Sequence, residues 1–225
     1  MEEIKKILVE FCLENINDSN GWYNWCVDEN NLPEGILLPD GNNYKKNINL
    51  KLQLHEKWLN EKDIYVRGEL IEYYIVKWGG IKSNKTASLN YYKTSDAKEL
   101  IERGIKGISS WSKALVLHNF NKYAIFDARV SCTINTLQKM SNNQNKFLFP
   151  ILASRNNVIK LANSEIKIIS KEENWNRISN KDFYNNYLIL LNSVAEELNS
   201  DISTIEMLLF AKAEEVVKNS KLIKN

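Results

Sequence analysis

The sequence predicts a mainly α protein, and three observations lead there. Apolar residues recur at steps of three and four through most of the 225 residues. Only three prolines interrupt the chain. Alternation of the strand kind is confined to residues 48–54, where Ile48, Leu50, Leu52 and Leu54 leave a short strand competing with a helix entry.

The first stripe is Ile4, Ile7, Leu8, Phe11 and Cys12, an amphipathic N-terminal helix. From Asn15 to Asn49 the text turns to Asn, Asp, Gly and Pro around Trp22 and Trp25, which reads as a long irregular connection or one containing short strands. Leu70, Ile71, Tyr74, Ile75 and Trp78 form a helical face that stops at Gly79-Gly80, where glycine can adopt the left-handed cap. Further helices are read at Val130, Ile134 and Leu137, at Val158 to Ala162, at Phe183 to Leu198 and at Ile205 to Val217.

Composition narrows the class. With 44% hydrophobic and 26% charged residues the chain is globular rather than disordered or fibrous. No apolar run approaches the roughly 18 to 20 residues that span a bilayer, and the opening MEEIKKILVEFCLEN lacks the basic start and small-residue cleavage site of a secretory signal. A cytoplasmic protein with no membrane contact is expected. Cys12, Cys26 and Cys132 stand in no metal spacing and read as reduced thiols, mostly buried; His55 and His118 are too few for zinc chemistry.

The net charge of +2 hides a gradient. Residues 1–44 carry nine acids against two lysines, net −7. Residues 77–113 carry eight bases against three acids, and 114–193 ten against five, each +5. Such a chain can present one positive face to a polyanion, although solvated lysine surface explains the same numbers.

The informative segment is 94–137. Thr94, Ser95 and Asp96 suit the N-cap of a short helix through Arg103 that Gly104 ends. After the link Ile105-Lys106-Gly107-Ile108-Ser109, Ser110 can cap a second helix carrying Trp111, Ala114, Leu115 and Val116. A Gly-containing link between two helices sets backbone N–H groups at a helix N-terminus, where phosphate binds without any base being read. Lys106 and Lys113 flank that spot. Most αα-hairpins only hold a core together, so this pattern alone is a weak signal. Beyond it come the apolar Tyr123-Ala124-Ile125-Phe126, then Asp127, then a helix opening Ala128-Arg129-Val130.

Together these residues resemble the helix-hairpin-helix DNA glycosylase superfamily, including small bacterial relatives of the 8-oxoguanine glycosylases. Gly107 to Ser112 lie on the hairpin motif, and Ala124-Ile125-Phe126-Asp127 on the segment that delivers the catalytic aspartate. The likeness covers about residues 95–140. Three departures stand out. Ser109 replaces the second hairpin glycine, the helix before the aspartate is shorter by about one turn (~4 residues), and Trp111 occupies the position of the Schiff-base lysine of lyase-competent members. Lys113, two residues on and about 200° around the helix, is a poor substitute. A tryptophan at that position is familiar from monofunctional alkylation-repair members.

The resemblance implies a two-lobed helical fold forming one compact unit, with residues 50–150 as the hairpin lobe and 1–49 plus 151–225 as the other, and the site in a cleft between lobes. It implies a monomer acting on double-stranded DNA without a cofactor; an iron–sulfur cluster needs four cysteines. Asp127 is the catalytic expectation. Phosphate contacts are expected from Lys106, Gly107, Ile108, Ser109, Ser110, Ser112, Lys113 and Arg129, and a base pocket from Trp22, Trp25, Trp78 and Trp111. Each has an ordinary alternative: a helix cap for Asp127, an ion pair for Arg129, core packing for the tryptophans. An oxidised purine, an alkylated purine or a hypermodified base of phage DNA are the substrates implied, the last an antiviral role. A noncatalytic DNA-binding module and a helical protein-interaction component are the rival classes.

Overall fold

The apolar stripes become eleven α-helices among the described residues, 1–16 and 20–223 of a computed structural model. Strand is confined to a two-residue parallel ladder, β1 (Phe147–Leu148) with β2 (Asn176–Arg177). No helix among the described residues is long and apolar enough to cross a membrane. The chain divides into two compact units, a terminal one of Met1–Asp18 with Phe126–Asn225 and a middle one of Ser19–Ile125. These replace the expected single unit with lobe boundaries at 50 and 150.

In the middle unit the residues 48–54 are helical, inside α2 (Asn43–Asn60), with Leu50 and Leu54 fully buried. The preceding irregular stretch belongs here because α2 binds its backbone. The Gln53 amide accepts from Leu37 N at 3.0 Å and donates to Leu37 O, and Asn47 Nδ2 donates to Trp25 O at 2.8 Å. α3 (Ile64–Glu72), capped by Asp63, runs into a π-helical turn at Tyr73–Trp78, and Gly80 beyond it takes φ +64°. α4 (Thr86–Thr94) packs on α3, α5 (Ala97–Glu102) opens with a reciprocal Asp96–Glu99 capping box, and α6 (Ile108–His118) packs on α2.

One stack in this unit ties stability to pH. His118 lies parallel to Trp58 with ring centroids 4.3 Å apart, and the Arg67 guanidinium sits 3.9 Å from the same indole. Burial, and behind it the Arg67 charge, pushes the imidazole down to about 4. The folded chain therefore holds His118 neutral where the unfolded chain binds a proton. Its contribution is complete above pH 6.5 and is lost as pH falls through 6.5 toward 4, by at most about 3 kcal/mol. Urea unfolding of the wild type and of His118→Gln at pH 7 and pH 4.5 checks this: the gap between pH values narrows in the variant. An equal gap in both proteins assigns the pH dependence elsewhere.

The terminal unit is built on α7 (Ala128–Met140), against which α8 (Asn157–Glu172), α10 (Ile202–Ala211) and α11 (Ala213–Asn219) pack, while α1 (Glu2–Asn15) packs on α9 (Phe183–Glu197). This packing explains why residues 126–150 join the terminal unit. The expected continuous helix over 205–217 breaks at Lys212. Ala128, Cys132, Ile159, Ala162, Ala213 and Val217 make one buried cluster. Polar residues on α7 are buried too, and satisfied by backbone. The Asn135 amide pairs with both N and O of Phe149 at 3.0 Å, and Gln138 does the same to Phe147 at 2.8 and 2.9 Å. Glu173 accepts from Lys139, Trp175 Nε1 and Lys146, and these donors, Lys139 foremost, hold its carboxyl down at about 2. All three cysteines are free thiols; Cys12 and Cys132 are buried, and Cys26 is exposed.

Candidate functional site

The hairpin forms in the middle unit, with its second helix starting three residues earlier than the sequence suggests. α6 begins at Ile108 rather than after Ser110, and its N-cap is Gly107, in the left-handed conformation at φ 75°, ψ 17°. Glycine is required there twice over, because a Cβ would also meet the Tyr92 hydroxyl at 2.0 Å. Gly107 O accepts from Ser110 N at 2.9 Å and Trp111 N at 3.1 Å, closing the first turn. The N–H groups of Lys106, Gly107 and Ser109 make no hydrogen bond among the described residues. Lys106 and Gly107 are exposed and Ser109 half-buried, so this tip is open to an anion.

The other expected phosphate contacts turn inward. Ile108 is buried, Ser112 Oγ donates to Ile108 O at 2.6 Å, and Ser110 Oγ donates to Asn84 Oδ1 at 3.1 Å. Lys113 is 5% exposed, with its ammonium donating to Ser109 O at 2.8 Å and its stem against Gly79. It secures the start of α6 from within rather than offering charge at the tip. Through Ser110 and Asn84 the segment carrying Lys82 and Lys85 is fastened to α6, and Lys82, Lys85 and Lys106 are exposed and make no ion pair among the described residues. Of the positive face expected around Lys106 and Lys113, Lys113 is buried and Lys106 exposed, with Lys82 and Lys85 the exposed lysines on the segment tied to α6.

The four tryptophans separate. Trp111 is fully buried and ties α6 to the end of α5 through Nε1 to Gly104 O at 3.2 Å. Trp22 is 9% exposed and packs edge-on against Tyr23 and Tyr44. Both serve the core instead of a pocket. Trp25 and Trp78, both half-buried, do come together at 6.1 Å, edge to face. Trp25 Nε1 donates to Trp78 O, Trp78 Nε1 donates to Asn47 Oδ1 at 2.8 Å, and Trp78 stacks on Tyr74 at 4.3 Å. Sequence reasoning missed Asn47; its signal was a polar residue at core spacing ahead of Leu50 and Leu54. The π-helical turn that sets Trp78 leaves no sequence signal, because Tyr74 and Trp78 are also four apart on an ordinary helix. Such turns are frequent at functional sites.

In the terminal unit Asp127 is extended (φ −136°) and caps α7. Its Oδ1 accepts from Arg129 N at 2.9 Å and Val130 N at 3.0 Å. Its Oδ2 has no hydrogen bond among the described residues, and the side chain is half-buried. Beside it Phe126 packs edge-on against Phe183 and Tyr187, at 5.3 and 5.0 Å. The buried Tyr187 phenol keeps its proton well above the usual range, first through burial and then through the charges of Glu206, Tyr184 and Asp127. Arg129 pairs with Glu214 at 2.8 Å, and Glu214 also accepts from Asn156, so Arg129 stands in the ion pair that was its ordinary alternative. Among the described residues no three His, Cys, Asp or Glu side chains gather to hold a metal ion.

Comparison of the chain with protein-family models, curated proteins and solved structures finds no match.

Proposed function

We propose that this chain is a monofunctional DNA glycosylase, acting as a cytoplasmic monomer on double-stranded DNA. The observation that carries the reading is the division of labour on Asp127: one carboxylate oxygen caps α7 and the other is uncommitted. A target base inside the duplex cannot be reached, so it is flipped out of the stack while the hairpin N–H groups and Lys106 grip phosphate. As the glycosidic bond breaks, its electron pair leaves with the base and positive charge develops on the sugar. Asp127 stabilises that charge and orients or deprotonates the water that attacks the anomeric carbon. Trp111 brings no amine to the lysine position, and the Lys113 amine is buried on Ser109 O. Water is then the nucleophile and the strand stays intact. Trp25 and Trp78 supply aromatic surface against which an unstacked base can lie.

The test is release of free base, read by mass spectrometry, from duplexes carrying an oxidised purine, an alkylated purine or glucosylated cytosine. Release from one of them without strand cleavage is expected; release from glucosylated cytosine assigns an antiviral role. No release from any removes the glycosylase. Salt-dependent binding that persists would then favour the noncatalytic DNA-binding module, and no binding at low salt the protein-interaction component.

A further inference from the structure

The terminal unit carries an apolar groove that the reaction above does not use. It lies between α1, the last turn of α7 and α11, measures about 410 Å³, and has Ile7, Phe11, Leu137, Met140 and Val216 as its floor. Phe11, Leu137 and Val216 are buried, whereas Met140 stays 49% exposed. Methionine is the adaptable side chain of surfaces that accept varied apolar partners. The rim carries one sign of charge. Glu10, Glu14 and Glu215 line it, and no lysine or arginine does among the described residues. Glu215 is held by Lys212 at 2.7 Å. Glu10 and Glu14 are exposed and form no ion pair or hydrogen bond among the described residues. Their placement on α1 is unfavourable twice. They stand four residues apart, where like charges repel across one helical turn. Glu14 also sits in the last turn, which holds no basic residue although the helix dipole there favours a cation. A cation brought by a partner relieves both costs, and apolar groups beside it cover the floor.

We infer that this groove docks a basic amphipathic helix of a partner protein, with apolar side chains on Phe11, Met140 and Val216 and lysine or arginine heads on Glu10 and Glu14. A helix laid in a groove presents its anchors at three- and four-residue spacing. The long stems of lysine and arginine cover apolar floor while their heads reach a carboxylate rim. The same rim repels phosphate, so the occupant is protein and not nucleic acid. The groove takes a few side chains rather than a domain, which makes the partner a segment.

Fluorescence anisotropy tests this on the full chain with a labelled amphipathic peptide of leucine and lysine, about four helical turns long, beside the same peptide with glutamate in place of lysine. Saturable binding of the first and none of the second is expected. Glu10→Gln with Glu14→Gln should weaken it by about threefold or more, the span of two exposed ion pairs. Met140→Gln should weaken it by about the same factor through the floor. Glu2→Gln with Glu3→Gln removes the same charge from the same helix outside the groove and should leave the affinity within about twofold. All five side chains are exposed, so each variant should keep the wild-type helix content by circular dichroism. No binding, binding of both peptides alike, or wild-type affinity in Met140→Gln overturns the inference. Equal weakening by the two double variants overturns it too, because the effect is then net charge alone. So does self-association of the chain that Met140→Gln abolishes, which would give the groove to a second copy.

Discussion

Asp127→Asn is expected to reduce base release by about 10²- to 10⁴-fold, the span that a positioned acid–base group supplies, while the protein keeps its fold. The separation is possible because of how the side chain is used. Only Oδ1 accepts from Arg129 N and Val130 N, and an asparagine carbonyl can make both bonds. The variant loses the favourable interaction of a full charge with the α7 dipole, about 0.3 to 1 kcal/mol. For a chain of this size that moves the melting temperature by only a few degrees, about 2 to 4 °C per kcal/mol. Asp127→Ala completes the comparison, with the same loss of base release and about 1 kcal/mol less stability because the cap goes too. Single-turnover rates and thermal melts of the three proteins are the measurement. Base release within about threefold of wild type in Asp127→Asn would reduce Asp127 to a helix cap, since a factor of three is far below what acid–base catalysis contributes.

What was legible in the sequence follows from which forces leave a period. The stripe Val130, Ile134 and Leu137 marks α7, and Leu70, Ile71, Tyr74 and Ile75 mark the end of α3 and the π-helical turn that continues it, because one-sided burial repeats every three or four residues. The Asp96 cap and the Gly104 stop were legible through local chemistry that does not depend on the rest of the fold. Long-range polar pairing leaves no such trace. Asn47, Gln53, Asn135 and Gln138 each bind the backbone of a segment 9 to 22 residues away, and in an Asn-rich chain they read as surface. The burial of Lys113 was hidden for the same reason: a lysine reads as solvated unless the carbonyl awaiting it is known. The unit boundary does not fall at Pro150, because the chain changes unit inside the unbroken apolar run Tyr123–Phe126, where composition does not shift. Ser110 reads as the cap of α6 because serine is a good capping residue, yet a left-handed glycine does the turning and no side chain caps at all.

That glycine carries the largest expected structural effect. Gly107→Ala should destabilise the protein by about 2 to 4 kcal/mol, from two costs that can be measured apart. The left-handed conformation at φ 75° costs an L-residue about 1 to 2 kcal/mol. Steric overlap adds about as much again, because the new Cβ would fall 2.0 Å from the Tyr92 hydroxyl and 3.2 Å from its Cζ, and Tyr92 is 2% exposed with nowhere to swing. Gly80→Ala is the internal control: Gly80 has φ 64° but nothing within 4 Å of its Cβ position, so that variant should show the conformational cost alone. Tyr92→Phe supplies the other control. Removing the hydroxyl should restore part of the loss in Gly107→Ala and leave the part that Gly80→Ala displays, a coupling that urea unfolding of the single and double variants resolves. DNA affinity separates the hairpin's binding role from its structural one. If Lys106, Gly107 and Ser109 N–H groups hold phosphate, Gly107→Ala in the Tyr92→Phe background should bind duplex DNA at least about tenfold more weakly, because a misaligned N–H loses a hydrogen bond to a charged group worth about 1.5 to 3 kcal/mol. Unchanged affinity in a folded double variant would leave the hairpin as scaffold, and the exposed Lys82, Lys85 and Lys106 would then have to carry the binding without it.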